Sequence, residues 1–166
     1  MISDLITISP EIQSGTPVFA RTRVSVQNLF DYLKVGHTIG EFSKLLIMQV
    51  VNIAEKFGLF TETWTPKIIG ELNGQQVKLA RLKGEFVWHS HKDEDEMFFV
   101  IKGVLQIQFR DKTVTIKPGE MIVVPRGIEH NPIANEEVLL MLFEPAQTKH
   151  TGETVHELTQ TILEKI

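Results

Sequence analysis

Three histidines and a glutamate carry the chemistry of this chain. The stretch Gly84 to Gly103, GEFVWHSHKDEDEMFFVIKG, gathers His89, His91 and Glu96, and a second stretch, GEMIVVPRGIEH from Gly119 to His130, adds a third imidazole. Imidazole nitrogen and carboxylate oxygen are ligand atoms for divalent transition metals when regular elements fix their geometry. Side chains at i and i+2 share one face of a strand, so His89 and His91 are expected to point the same way. Glu96 follows a short polar turn, His91 to Asp95, and opens the return strand EMFFVIK, which brings its carboxylate back opposite the two histidines. Asp93, Glu94 and Asp95 belong to the turn and are expected to face solvent. His37, His150 and His156 lie outside both stretches and read as surface residues.

Composition narrows the alternatives. Cysteine is absent, which removes disulfides, thiolate ligands and a cysteine nucleophile. The opening MISDLITISPEIQ has neither a basic n-region nor a long apolar core, so it does not read as a signal peptide. No apolar run approaches the roughly 18 residues a membrane span needs. A cytoplasmic, membrane-free protein is the expectation. Lys and Arg number 17 against 21 Asp and Glu, a balance that offers nothing to a phosphate backbone and weighs against nucleic acid. There is no Gly-rich phosphate loop and no G-x-S-x-G elbow.

The elements that would position the four residues are strands. From about residue 60 the apolar period is two: KIIGEL and QQVKLARL flank Asn73-Gly74, a strong hairpin signal. EFVWHSH, EMFFVIK, VLQIQFR, TVTIK, MIVV, HNPI and EEVLLMLFEP follow, punctuated by Gly, Pro and Asn. Short, evenly spaced strands predict an all-β sandwich or barrel. EMFFVIK and EEVLLMLF are apolar on both faces, so a second sheet, a helix or a subunit partner must cover the outside; a homodimer is expected on that ground. Residues 151–166, with Val155, Leu158, Ile162 and Leu163, predict a closing helix.

The first 50 residues have a different texture. ISDLITI predicts a strand, PEIQSG a turn, and VQNLFDYLK a helix capped by Ser25. Thr38 and Glu41 form a capping-box pair, after which Ile39, Phe42, Leu46, Val50 and Ile53 recur at helical spacing up to Gly58. Ile8-Ser9-Pro10-Glu11-Ile12, Gly15-Thr16-Pro17-Val18-Phe19, Thr22-Arg23-Val24 and Gly36-His37-Thr38-Ile39-Gly40-Glu41-Phe42 resemble the antitoxin-like family of unknown function termed DUF433. Its members are suspected of a helix-turn-helix-like fold. The family continues with a proline-containing turn and a further helix, whereas here SKLLIMQVVNIAEKF runs on without a turn residue. Residues 1–50 are therefore expected to form a DUF433-like appendage for interaction, with 51–166 as a separate domain.

That second domain resembles the cupins. Gly84, His89, His91, Glu96 and Gly103 match the first cupin motif, and Gly119, Pro125, Gly127 and His130 the second; Ala134 stands where the second motif has an asparagine. The resemblance implies a mainly β jelly-roll barrel, the double-stranded β-helix, with the small α-rich appendage at its N-terminus. It further implies one divalent metal held by His89, His91, Glu96 and His130. Such a set leaves octahedral positions open, which suits Fe, Mn, Ni or Co better than a closed tetrahedral Zn site. Loading should fade below about pH 6 as the imidazoles protonate.

Strand parity adds candidates for the pocket. Phe98 and Val100 share the face of Glu96, Val87 that of His89, and Arg81 could meet an anionic ligand. The function expected is binding of, or action on, a small polar or acidic metabolite at the metal, with the reaction open. The alternative is a ligand-sensing or partner-binding protein of the antitoxin-like, regulatory kind.

Overall fold

The computed structural model describes residues 5–20, 22–47 and 50–166. The chain divides into two compact units, Met1–Val51 and Asn52–Ile166, and each is taken by itself.

In the first unit, β1 (Ile6–Thr7) pairs antiparallel with β2 (Val18–Phe19). Helix α1 (Val26–Lys34) starts where the Ser25 hydroxyl accepts from the Asn28 amide. Helix α2 (Ile39–Ile47) opens on the expected capping box: the Glu41 carboxylate accepts from the Thr38 amide at 2.8 Å, and the Glu41 amide donates back to the Thr38 hydroxyl. Each bond satisfies an amide that the first helical turn leaves free. Phe42 is buried against the rings of Phe19 and Tyr32. The expected beginning of the first strand at Ile2–Asp4 lies outside the described residues.

The helix expected to continue to Gly58 is two helices. α2 ends at Ile47, and a separate α3 (Ile53–Phe57) starts at Asn52, whose side chain accepts from the amides of Ala54 and Glu55. Asn is among the strongest N-caps, so it begins a helix where the apolar period alone would continue one. Met48 and Gln49, between the two, lie outside the described residues.

The second unit is an antiparallel β barrel of the jelly-roll type. β3 (Lys67–Leu72) and β4 (Gln75–Glu85) form the expected hairpin, with Asn73 and Gly74 both at positive φ in its turn. β5 (Glu96–Lys102), β6 (Leu105–Phe109), β7 (Thr113–Ile116) and β8 (Met121–Val124) follow. β9 (His130–Pro145) is one long strand where the sequence predicted two. Its C-terminal half pairs with both β4 and β5, and its N-terminal half pairs with β6. One strand therefore ties the end of the barrel that carries His130 to the rest, with a register shift opposite Leu82 and Gly84 that lets it bend.

Two clusters pack on the two faces of this sheet. Ala80, Leu82, Phe98, Val100, Leu105, Ile107, Leu140 and Leu142 fill the interior. On the outside, Phe57 of α3 and Phe60 cover Leu79, with Ile101, Leu139 and Met141 packed against them. A helix of the same chain thus supplies part of the cover that the doubly apolar strands need.

The closing helix expected over 151–166 does not form. The Thr151 hydroxyl donates to the Thr154 carbonyl, and the Thr159 hydroxyl accepts from the His156 amide. Ile68 bonds Glu164 and Ile166 through its backbone. Hydroxyls that capture nearby backbone groups compete with a helix, and β3 takes the end of the segment instead. Val155 and Ile162, half of the supposed apolar face, are exposed.

Candidate metal centre

His89, His91, Glu96 and His130 converge inside the barrel. Each offers one ligand atom, and the four atoms lie within 4.8 Å of one another. All four side chains are buried, His130 completely.

EFVWHSH, which the sequence predicted to be a strand, is not a regular one. Beyond Glu85 the chain holds only a bridge at His89, where the His89 and His130 backbones exchange two hydrogen bonds of 3.0 and 2.9 Å. That bridge sets two imidazoles side by side, their ring centres 4.3 Å apart. Glu96, first residue of β5, pairs with Val124 at the end of β8. The intervening turn is fastened at two points: the Gly127 amide donates to the His91 carbonyl at 2.6 Å, and the Arg126 amide to the Asp95 carboxylate at 2.9 Å.

The rings are oriented as ligands would be. His89 Nδ1 lies 2.9 Å from the Val87 carbonyl and His130 Nδ1 3.0 Å from the Ile128 carbonyl. A carbonyl can only accept, so Nδ1 carries the hydrogen and Nε2 presents a lone pair. His91 Nε2 and His130 Nε2 sit 3.2 and 3.3 Å from the same Glu96 oxygen, Oε2. These three buried atoms lack a hydrogen bond of acceptable geometry among the described residues, although the distances alone would allow one. Orphaned buried polar atoms are costly, and ligands at about 2.1 Å from a shared ion stand at most about 4.2 Å apart. The donor set fits a divalent ion after side-chain shifts of a few tenths of an ångström.

Electrostatics favour the charge states of a metal site at His89 and Glu96, while without an ion Glu96 draws His91 toward its protonated form. Burial lowers the His89 pKa to about 4, helped by the neighbouring His130, so this ring is neutral at ordinary pH. Burial also lowers that of His91, but the Glu96 carboxylate outweighs it and the net shift is upward. Burial alone would raise Glu96; His130 and His91 beside it win, and its pKa is lowered.

Residues 77–144 match the cupin domain family and residues 6–45 the family described as protein of unknown function (DUF433). A cupin-2 domain containing protein from Shewanella frigidimarina is similar at 51% identity, over 58% of this chain and 94% of that one, with a TM-score of 0.57. The chain belongs to the cupin family. Protein NMB1881 from Neisseria meningitidis is 32% identical over 59% of this cupin and 100% of that chain, with a TM-score of 0.55. The uncharacterized protein YdbB from Bacillus subtilis (strain 168) is 43% identical over 63 residues, 37% of this chain and 56% of that protein. The chain spans about half the length of the curated relatives it matches.

The pocket candidates fare unevenly in this cupin. Phe98 lines a small cavity of about 30 Å³ beside His89 and Glu96. Val100 is buried deeper in the interior cluster, and Val87 packs against that cluster while its carbonyl orients His89. Arg81 is a correction, because its side chain leaves from the other face of β4. The guanidinium donates to the Phe57 and Phe60 carbonyls at 2.8 and 2.9 Å and pairs with Glu137 at 2.7 Å, which pins α3 to the outside of the sheet. Ala80 and Leu82 line the cavity instead.

Three residues near the site went unread in the sequence. His150, expected at the surface, lines the small cavity, stands 5.1 Å from the Phe86 ring, and has its pKa lowered to about 4 by burial. Lys78 and Glu144 form a buried ion pair of 2.7 Å. Burial, then the charge of Glu96, raises Glu144 to about 7 against the opposing pull of Lys78. The parity of Lys78 with Ala80 and Leu82, and of Glu144 with Leu140 and Leu142, was the available signal.

Proposed function

We propose that His89, His91, Glu96 and His130 hold one divalent transition metal and that this cupin binds, or acts on, a small polar or acidic metabolite at that ion. The observation that carries the reading is the convergence of four ligand atoms within 4.8 Å in a buried site. A divalent ion there would polarise a carbonyl or carboxyl oxygen as a Lewis acid. The chain's own part is to fix two Nε2 lone pairs through the Val87 and Ile128 carbonyls and to keep bulk water from the ligands. Elemental analysis of freshly purified protein should find close to one Fe, Mn, Co, Ni or Zn per chain. A metabolite thermal-shift screen on that material should then find polar or acidic compounds that raise the melting temperature. A protein isolated and reconstituted without any bound metal would end the reading.

The DUF433-like unit favours a second reading, in which the barrel senses a ligand and residues 1–50 contact a partner without catalysis. The expected split into 1–50 and 51–166, a cytoplasmic location and a homodimer belong to the proposal too. Exposed Met121 and Val123 on the outer face of β8 support association of two copies. Among the described residues no helix is long and apolar enough to cross a membrane.

A further inference from the structure

A cavity of about 550 Å³ lies between the C-terminal segment and the strands β3 and β4; Gln76, Lys78, Thr148, His150 and Gln160 are among its lining residues. We propose that this cavity binds a small hydroxylated monocarboxylate, with the Lys78 ammonium and the Thr148 hydroxyl as its anchors. The proposal deepens the metal reading and rests on it only for the sign of the local charge.

The volume falls in the range of small-molecule sites. Its wall holds a lysine whose side chain is 1% exposed, and lysine is almost never buried so far without a reason. A buried Lys–Glu pair is a poor way to stabilise a fold, since apolar residues of the same volume do as well or better. A pair placed at a cavity wall can serve a ligand. Among the described residues Glu144 is the one hydrogen-bond partner of the ammonium, which leaves N–H donors to spare. Thr148 is 7% exposed, and its hydroxyl has no partner among the described residues. A buried hydroxyl at a cavity wall is free to bond a polar ligand atom.

Charge selects a single anionic group. With the imidazoles neutral and Glu144 ionised against Lys78, as above about pH 7, Glu96, Glu144 and Lys78 together carry one net negative charge, and a divalent ion turns that into one net positive charge. At the cavity rim Lys149 and Glu153 neutralise each other at 2.8 Å. Gln76, Gln160 and Thr161 line the same space, and side chains of these polar types suit hydroxyl groups on the ligand. His150 lines both this cavity and the small one beside His89 and Glu96, so a ligand held by Lys78 lies on the metal side of the barrel.

Calorimetric titration tests this with glycolate, glycerate and gluconate, against the neutral glycerol and sorbitol. The full chain is used both chelator-stripped and Mn²⁺-loaded, with Mn²⁺ per chain measured separately. At least one acid should bind the loaded protein with a Kd below about 1 mM, and the polyols at least about tenfold more weakly. The charge-balanced double variant Lys78→Met/Glu144→Gln should lose at least tenfold in acid affinity while keeping its Mn²⁺, and Thr148→Val should lose several-fold. Circular dichroism establishes that both remain folded, and Thr148→Val carries the test if the double variant does not. Failure of all three acids to bind, or binding indifferent to these substitutions, overturns the proposal whatever the metal content. Lys78-dependent binding by a chain that takes up no Mn²⁺ would sustain the proposal and sink the metal reading alone.

Discussion

Glu96 Oε2 is the point on which two imidazoles close, His91 from the turn and His130 from the start of β9. His91 is the candidate ligand held least by other contacts, since neither of its ring nitrogens has a hydrogen-bond partner of acceptable geometry among the described residues. His91→Ala should therefore cut bound metal at least about tenfold in elemental analysis, with the fold kept, whereas Asp93→Asn in the exposed turn should leave it unchanged. Equal metal content in the two variants would show that the ligand set is wrong. The buried titratable groups make a second prediction, for chelator-treated protein between about pH 4.5 and 6.5. His89 and His150, lowered to about 4, take up protons in the unfolded chain but not in the folded one, so each makes stability rise with pH. Glu144, raised to about 7, keeps its proton in the folded chain only and makes stability fall with pH. His91, raised above 6.5, makes stability fall too, but only toward the top of the window, and the lowered Glu96 adds a rise toward its bottom. The net is a rise, each proton amounting to about 1.4 kcal/mol per pH unit at most. His150→Gln should flatten the curve over that window in urea titrations; an undiminished slope would mean His150 is not held neutral.

The elements around the site were legible wherever local chemistry decides. Asn73-Gly74 marks a turn that forces a hairpin, the Thr38–Glu41 pair caps a helix, and EMFFVIK lies at β5. They were illegible where distant groups decide. Either face of KLARL could have turned inward; the interior takes Lys78, Ala80 and Leu82, and Arg81 is spent outside on carbonyls of residues 57 and 60. The helical spacing of Val155, Leu158, Ile162 and Leu163 is overridden by threonine hydroxyls and by β3. The candidate metal ligands were readable because two short motifs contain them, while Lys78 and Glu144 stand 66 residues apart and meet only through the pairing of β4 with β9. Asn52 and Glu55 did carry a local signal, the cap that separates α3 from α2. Asn52→Ala should lower stability by about 1 kcal/mol in urea unfolding, because α3 places Phe57 over Leu79. A change within error would mean that α3 is held by Phe57 and the Arg81 bonds alone. At Gly152 a Cβ would collide with the Ser90 carbonyl oxygen, so Gly152→Ala should displace the C-terminal segment from the backbone between His89 and His91. Faster hydrogen exchange over 148–160 would register that displacement.

For the whole molecule, the division of labour between the two units decides what the N-terminal region is for. The four candidate ligands, both cavities, both packed clusters and the ion pair of Lys78 and Glu144 all fall within Asn52–Ile166. So do the partners that cover the outer face of the barrel, down to Phe57 of α3. The first unit has its own small sheet, two capped helices and its own buried aromatic, Phe42. A chain of about 115 residues is long enough to bury a core without staples. Residues 52–166 expressed alone should therefore unfold cooperatively and bind metal with the stoichiometry of the full chain. Their melting temperature should lie within a few degrees of the full chain's. Loss of metal binding on removing 1–51 would mean that the DUF433-like unit completes the site. Retention of metal with loss of self-association, read by light scattering during size-exclusion chromatography, would assign that unit to contacts between copies and leave the chemistry to the barrel.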